Sequence, residues 1–149
     1  MKQTVTLLIG LPGSGKTTFY EQHFSSEADV RISQDVLGSK EACVLELEAV
    51  LERGQSAVID RVNFNKKQRQ TWIDIAHKHG AEVHAIYLEV PKEVCLDRLN
   101  NRTGHETIPE EMPEERKLEI IEQFDKMMFI PSLGEGFKSI VMLRNYETN

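Results

Sequence analysis

Apolar residues along the chain fall into short unbroken runs that take turns with longer stretches of helical spacing. Val5-Thr6-Leu7-Leu8-Ile9 is the first run and reads as a buried strand, followed by a helix from Lys16 to about Phe24. Val30-Arg31-Ile32-Ser33 is the second strand and ends on Gln34-Asp35. Ser39 then caps a helix running to about Arg53, with Cys43, Val44, Leu47, Val50 and Leu51 on one face and Gly54 as its stop. Ser56-Ala57-Val58-Ile59 is the third strand, with Asp60 at its tip. Asn65, followed by Gln68, has the spacing of a capping box for a helix that ends at Gly80, and Trp72, Ile75 and Ala76 form its core face. The longest apolar run, Val83 to Val90, is the fourth strand. Pro91 opens a helix to about Arg102, and Pro113 opens the last helix, to about Phe129. Ile140-Val141-Met142-Leu143 is the fifth strand. This alternation predicts an α/β fold with five parallel strands in one sheet and helices on both faces.

The chain has 149 residues, 40% of them hydrophobic and 28% charged, which suits one globular domain over residues 1–149. No run of about 18 apolar residues is present, so no membrane span is expected. The N-terminus leads straight into the first strand, leaving no room for a signal peptide. Cys43 and Cys95 both lie in predicted helices and read as small core residues. A reducing intracellular setting, cytoplasmic or nuclear, follows, and a monomer is expected. The net charge is −6, and it is unevenly spread: 13 basic and 14 acidic residues up to Arg102, then 5 and 10 beyond it. A protein that tracks a long nucleic acid carries a basic face, so this balance argues against long-tract binding and leaves a short contact at a strand end open.

The candidate chemistry begins at Gly10-Leu11-Pro12-Gly13-Ser14-Gly15-Lys16-Thr17, which fits G-x-x-x-x-G-K-[ST] between a strand and a helix. Gly13 and Gly15 allow backbone that comes close to a phosphate, and the helix from Lys16 adds its positive end. Gly10, Gly13, Ser14, Gly15, Lys16, Thr17 and Thr18 are therefore the expected contacts to a nucleoside triphosphate, taken as ATP. Lys16 serves the β- and γ-phosphates, and the Thr17 hydroxyl is a ligand for Mg²⁺. The architecture sharpens to a three-layer fold of the P-loop NTPase type.

In such sheets the ligand sits beyond the carboxyl ends of the strands. Asp35, after the second strand, is the candidate general base toward an attacking hydroxyl; a turn-capping Asp is the plain alternative. Asp60, after the third, is placed to hold Mg²⁺ through water, to fix the acceptor, or to pair with a neighbouring arginine. Arg98 and Arg102, four apart on a helix, open a polar segment at about 98–115 that reads as a small lid bringing positive charge to the nucleotide. His105 falls in the same segment. Arg61, Lys66, Lys67 and Arg69 form a basic cluster beyond the third strand. They read either as an acceptor-phosphate site, Arg61 first, or as a solvated face.

Ser33-Gln34-Asp35-Val36-Leu37-Gly38-Ser39, Val58-Ile59-Asp60-Arg61-Val62-Asn63, Arg98-Leu99-Asn100-Asn101-Arg102 and Phe129-Ile130-Pro131-Ser132-Leu133-Gly134-Glu135-Gly136-Phe137 together resemble the kinase domain of the eukaryotic polynucleotide kinase–phosphatases. The similarity runs from the phosphate loop to about Leu143. It implies ATP-dependent phosphorylation of a 5′-hydroxyl on DNA or RNA. Asp35 would be the base, Lys16 and Thr17 the phosphate contacts, Arg102 the lid arginine, and Asp60 an organiser of the acceptor side. Two departures fall near the acceptor. Gln34 stands where the family has Arg, and Asp60-Arg61-Val62-Asn63 replaces Asp-Asn-Thr-Asn. A kinase for a small-molecule hydroxyl and an ATP-binding switch without transfer are the competing readings.

Overall fold

The computed structural model describes residues 2–101, 108–109 and 111–147; Arg102, His105 and the neighbouring residues of the expected lid, 102–107 and 110, lie outside the described residues. The elements run β1 (Thr4–Ile9), α1 (Lys16–His23), β2 (Asp29–Ile32), α2 (Gln34–Leu37), α3 (Lys40–Glu52), β3 (Ser56–Asp60), α4 (Lys66–Lys78), β4 (Glu82–Glu89), α5 (Lys92–Asn101), α6 (Glu114–Met127), a 3₁₀ turn (Leu133–Glu135) and β5 (Ser139–Arg144). All five expected strands are present and pair in parallel, in the order β2-β3-β1-β4-β5. Two short elements are new relative to the sequence reading, α2 and the 3₁₀ turn. The chain after β2 closes into the four-residue helix α2, so Asp35 sits in a helical first turn instead of an open loop.

Period-two geometry explains the layers. Val5, Leu7 and Ile9 of β1 face a core built with α3 and α4, including Cys43, Leu47, Trp72 and Ala76. Leu8, between them, faces the other way, onto Phe19 and Tyr20 of α1. A central strand covered by helices on both faces has to be apolar at nearly every position, which is why β1 reads as an unbroken run. β5, at the sheet edge, is half exposed, and Val141 and Met142 face solvent. A third cluster, around Cys95, Leu99 and Ile121, joins α5 to α6 beneath the phosphate loop. Both cysteines are free and buried. No helix among the described residues is long and apolar enough to cross a membrane.

Local capping follows the side chains. Ser39 Oγ accepts from the Ala42 N–H at 3.1 Å, and Asn65 Oδ1 accepts from the Gln68 N–H at 2.9 Å. The chain after α6 is tied down by an ion pair. Arg69 of α4 is fully buried; its Nε and Nη2 donate to Glu135 at 2.8 and 3.1 Å, and its Nη1 donates to the carbonyls of Asn63 and Phe129, each at 2.9 Å. Glu135 Oε2 also accepts from the Ser132 N–H. Arg69 therefore leaves the basic cluster in which the sequence reading placed it, because all its donors are directed inward.

Removing one partner of a buried pair strands the other charge. Glu135→Ala is expected to lower unfolding free energy by about 3–5 kcal/mol in chemical denaturation. A loss under about 1 kcal/mol, the range of exposed pairs, would mean the pair does not hold this segment.

Candidate active site

Strand order fixes where the site lies. β2 and β3 are on one side of β1, and β4 and β5 on the other, so the crevice opens over the carboxyl end of β1. The loop from Gly10 to Gly15 occupies that end. Gly13 has φ +85° and Gly15 φ +100°, the left-handed region that glycine enters without cost. At Gly13 the space is also closed, because a Cβ there would lie 2.6 Å from the Cys95 carbonyl oxygen. The loop's own carbonyls are held by cationic side chains. Lys16 Nζ donates to the carbonyls of Gly10 and Leu11 at 2.8 and 3.0 Å. Arg98 Nη1 donates to those of Gly13 and Ser14 at 3.3 and 3.2 Å, and its Nη2 to the Tyr146 carbonyl.

A pocket of about 610 Å³ opens in front of this loop. Gly13, Gly15, Lys16, Thr17, Gln34, Asp35, Asp60 and Arg61 all line it. The register places Asp60 beside Leu8, two residues short of the loop, so its carboxylate meets the start of α1. Thr17 Oγ1 donates to Asp60 Oδ2 at 2.9 Å. Arg31 of β2 donates to the same oxygen from Nε at 2.8 Å and to Thr17 Oγ1 from Nη2 at 3.2 Å. Asp60 is buried, and the Arg31 guanidinium balances its charge in that position. Thr17 and Asp60 are hard oxygen donors side by side, a set that suits a small divalent cation taking its remaining ligands from phosphate and water.

Asp35 also lines the pocket, exposed in the first turn of α2. Its neighbour Gln34 accepts, through Oε1, a 2.5 Å hydrogen bond from Arg61 Nη2. The Arg61 guanidinium lies 5.5 Å above the Trp72 ring, and its Nη1 is buried without a partner. Burial holds the Arg61 pKa below its ordinary value, with Cys43 and Asp35 acting in the opposite direction. Asn63, at φ +51°, closes the turn after β3 and donates from Nδ2 to the Leu8 carbonyl at 2.8 Å. Burial pushes the Cys95 thiol up to about 11, so beneath the loop it is a neutral packing group.

The AAA domain family model matches residues 5–45 and 38–127. The chain belongs to this AAA domain family. Over 140 residues it is 31% identical to the bifunctional polynucleotide phosphatase/kinase of Schizosaccharomyces pombe, covering 93% of this chain and 33% of the relative. It is also 36% identical over 147 residues to transcription factor bHLH140 of Arabidopsis thaliana, covering 94% of this chain and 16% of that protein. The chain thus spans about a third or less of the length of these relatives. A gluconokinase structure from Sinorhizobium meliloti 1021 superposes with a TM-score of 0.65 at 16% identity, over 97% of this chain and 83% of that one. The fold is that of a P-loop kinase, and the similarity to polynucleotide kinase–phosphatases expected from the motifs holds over most of the chain.

Within this AAA domain, Lys16, Thr17, Asp35, Asp60 and Arg61 converge on one pocket. Gly10, Ser14, Thr18 and Arg98, also expected at the nucleotide, are not among the residues that line it. Ser14 is fully buried, its hydroxyl turned inward where a Cβ on Gly10 would come within 2.5 Å of it. Arg98 braces the loop through its carbonyls. Thr18 follows Thr17 in the first turn of α1. Arg31 was missed by sequence reasoning. Its signal was a charged residue within the apolar run of β2, beside the strand that ends in Asp60.

Two substitutions test this geometry. Gly13→Ala combines positive φ with a 2.6 Å contact to backbone, and ATP·Mg²⁺ affinity by titration calorimetry is expected to fall at least about tenfold. Binding within twofold of the parent chain would remove the loop as the phosphate site. Arg31→Met leaves the Asp60 charge buried and unbalanced, and the folded chain is expected to lose about 3 kcal/mol of stability. Asp60→Asn in the same background should restore part of that loss, and no recovery would show that Arg31 acts elsewhere.

Proposed function

We propose that this chain transfers the γ-phosphoryl group of ATP to the 5′-hydroxyl end of a polynucleotide, DNA or RNA. The observation that carries the reading is that Asp35 lines the same pocket as the phosphate loop, together with the hydrogen-bonded group of Thr17, Asp60 and Arg31. The similarity to the S. pombe phosphatase/kinase supports the same assignment. The acceptor oxygen attacks the γ-phosphorus, the bond to the leaving ADP oxygen breaks, and Asp35 takes the hydroxyl proton. Lys16 leaves the Gly10 and Leu11 carbonyls for the phosphate oxygens and counters charge that builds on them. Arg98 acts by positioning, since its guanidinium fixes the back of the loop. Arg102 is assigned the second positive charge over the transferring group. Thr17 and Asp60 would hold Mg²⁺, which would supply charge neutralisation at the phosphates. Arg61 contacts the acceptor, taking the place of the arginine that the family carries at Gln34. A reducing intracellular compartment and a monomeric chain belong to the same proposal.

A small-molecule hydroxyl acceptor is the second reading. It is favoured by the net charge of −6 and by the gluconokinase likeness in fold.

With γ-labelled ATP, Mg²⁺ and short 5′-hydroxyl oligonucleotides, label is expected on the strand end. Asp35→Asn should cut kcat by at least about 100-fold while ATP affinity is kept. Undiminished transfer in that variant would remove Asp35 as the base. Label appearing on nucleosides or sugars and on no oligonucleotide would leave the mechanism and replace the acceptor.

A further inference from the structure

The segment after α6 combines two features that rarely go together. Its backbone is locked by a fully buried ion pair, yet its large apolar side chains face solvent. Phe129 is 61% exposed, Ile130 62% and Leu133 61%. Arg69 holds the Phe129 carbonyl and Glu135 at once, Glu135 closes a capping box on Ser132, and Gly136 packs where a Cβ would meet Ile73 at 2.9 Å. A buried pair is a poor source of stability in itself; its better-attested use is to fix one geometry. Here the geometry it fixes is that of an exposed apolar rim, and such rims on soluble domains mark contact sites.

The rim's position says what it contacts. The Phe129 N–H donates to the Phe64 carbonyl at 2.7 Å, so the rim continues directly from Phe64. Phe64 and Phe124 both line the pocket and pack on each other with ring centroids 5.7 Å apart. The two pocket rings thus lie one backbone hydrogen bond away from Phe129, whose side chain is on the surface. Lys66 and Lys67, two and three residues after Phe64 at the start of α4, are exposed. Aromatic faces beside cations are the two elements by which proteins hold unpaired nucleic acid: bases stack, and phosphates meet the charge.

We infer that the Phe129–Ile130–Leu133 rim is a stacking platform for the unpaired bases of the acceptor strand, placed just outside the pocket that takes its 5′ end, with Lys66 and Lys67 beside the phosphates. The inference rests on the polynucleotide reading above and adds to it that the acceptor is single-stranded over the first few nucleotides.

Direct binding tests it without turnover. Fluorescence anisotropy would compare a labelled 5′-hydroxyl octanucleotide with a dinucleotide, which reaches no further than the pocket, on the full chain and on Phe129→Ala and Phe129→Ala/Leu133→Ala. Both residues are exposed, so the variants are expected to keep the parent melting temperature. The octanucleotide should bind the single variant at least about fivefold more weakly, while dinucleotide affinity stays within twofold. Equal octanucleotide affinity in parent and variants would overturn the platform, as would an equal loss for both ligands. A parent chain that sediments as a dimer, with the double variant a monomer, would also overturn it by assigning the rim to a second copy. The two proposals fail separately. Octanucleotide binding that depends on Phe129 but yields no phosphorylated product retains the platform and removes the kinase reading. Phosphorylation with the same KM in parent and variants does the reverse.

Discussion

A loop that grips phosphate with its backbone N–H groups must keep those donors aimed inward while its carbonyls, equally polar, are kept out of the way. The structure meets that requirement with cations. Lys16 takes the carbonyls of Gly10 and Leu11, and Arg98 takes those of Gly13 and Ser14. Two positive side chains thus hold the loop's acceptors and leave its donors to the pocket. The glycines follow from the same constraint, since at Gly13 the Cys95 backbone stands where a side chain would be. The extent of α5 follows too, because it has to bring Cys95 under the loop and Arg98 behind it. Lys16 and Arg98 differ in one respect that matters. Lys16 lines the pocket and can exchange carbonyls for phosphate, whereas Arg98 is also tied to Tyr146 and stays with the loop.

The second constraint is the carboxylate at Asp60. A buried acid beside a triphosphate site would repel the ligand if it stood alone. Arg31 shares its Oδ2 with the Thr17 hydroxyl, so the group enters the site as a neutral pair that still offers oxygen. A second guanidinium on the pocket wall is held in place from two directions. Gln34 accepts a hydrogen bond from Arg61, and the Trp72 ring lies against it.

Most of the fold was legible because its signals are local. The run Val5–Ile9, the Ser39 and Asn65 caps and the glycine stops each act within a few residues, and the structure carries all of them. The convergence of Lys16, Thr17, Asp35 and Asp60 was legible through one topological rule about strand ends. What escaped was set by pairing across the sheet. Nothing near Arg31 in sequence announces Asp60; the two meet only because β2 lies against β3 in parallel register. Arg69 was misplaced for the same reason. It sits in a basic stretch, and its partners, Glu135 and the Phe129 carbonyl, are more than fifty residues away. α2 escaped because four residues are too few to show a period.

Charge also shows why the chain has to be read locally. Taken whole, the net of −6 weighs against an anionic acceptor, yet much of the acidic excess lies in the last third, on α6 and around it. At physiological salt, exposed charges lose influence over about 8 Å, so acids on an outer helix face act weakly on a ligand in the pocket. Among the residues that line the pocket the charges are even. Lys16, Arg31 and Arg61 stand against Asp35, Asp60 and Glu21, and Arg98 adds a positive charge behind the loop. One of these acids, Asp60, is already paired with Arg31. The field that a phosphate or a strand end meets is therefore set by these few groups and by the lysines at the start of α4. A total charge averages over distances at which most of the chain has no influence, so it tilts the choice toward a small-molecule acceptor only slightly.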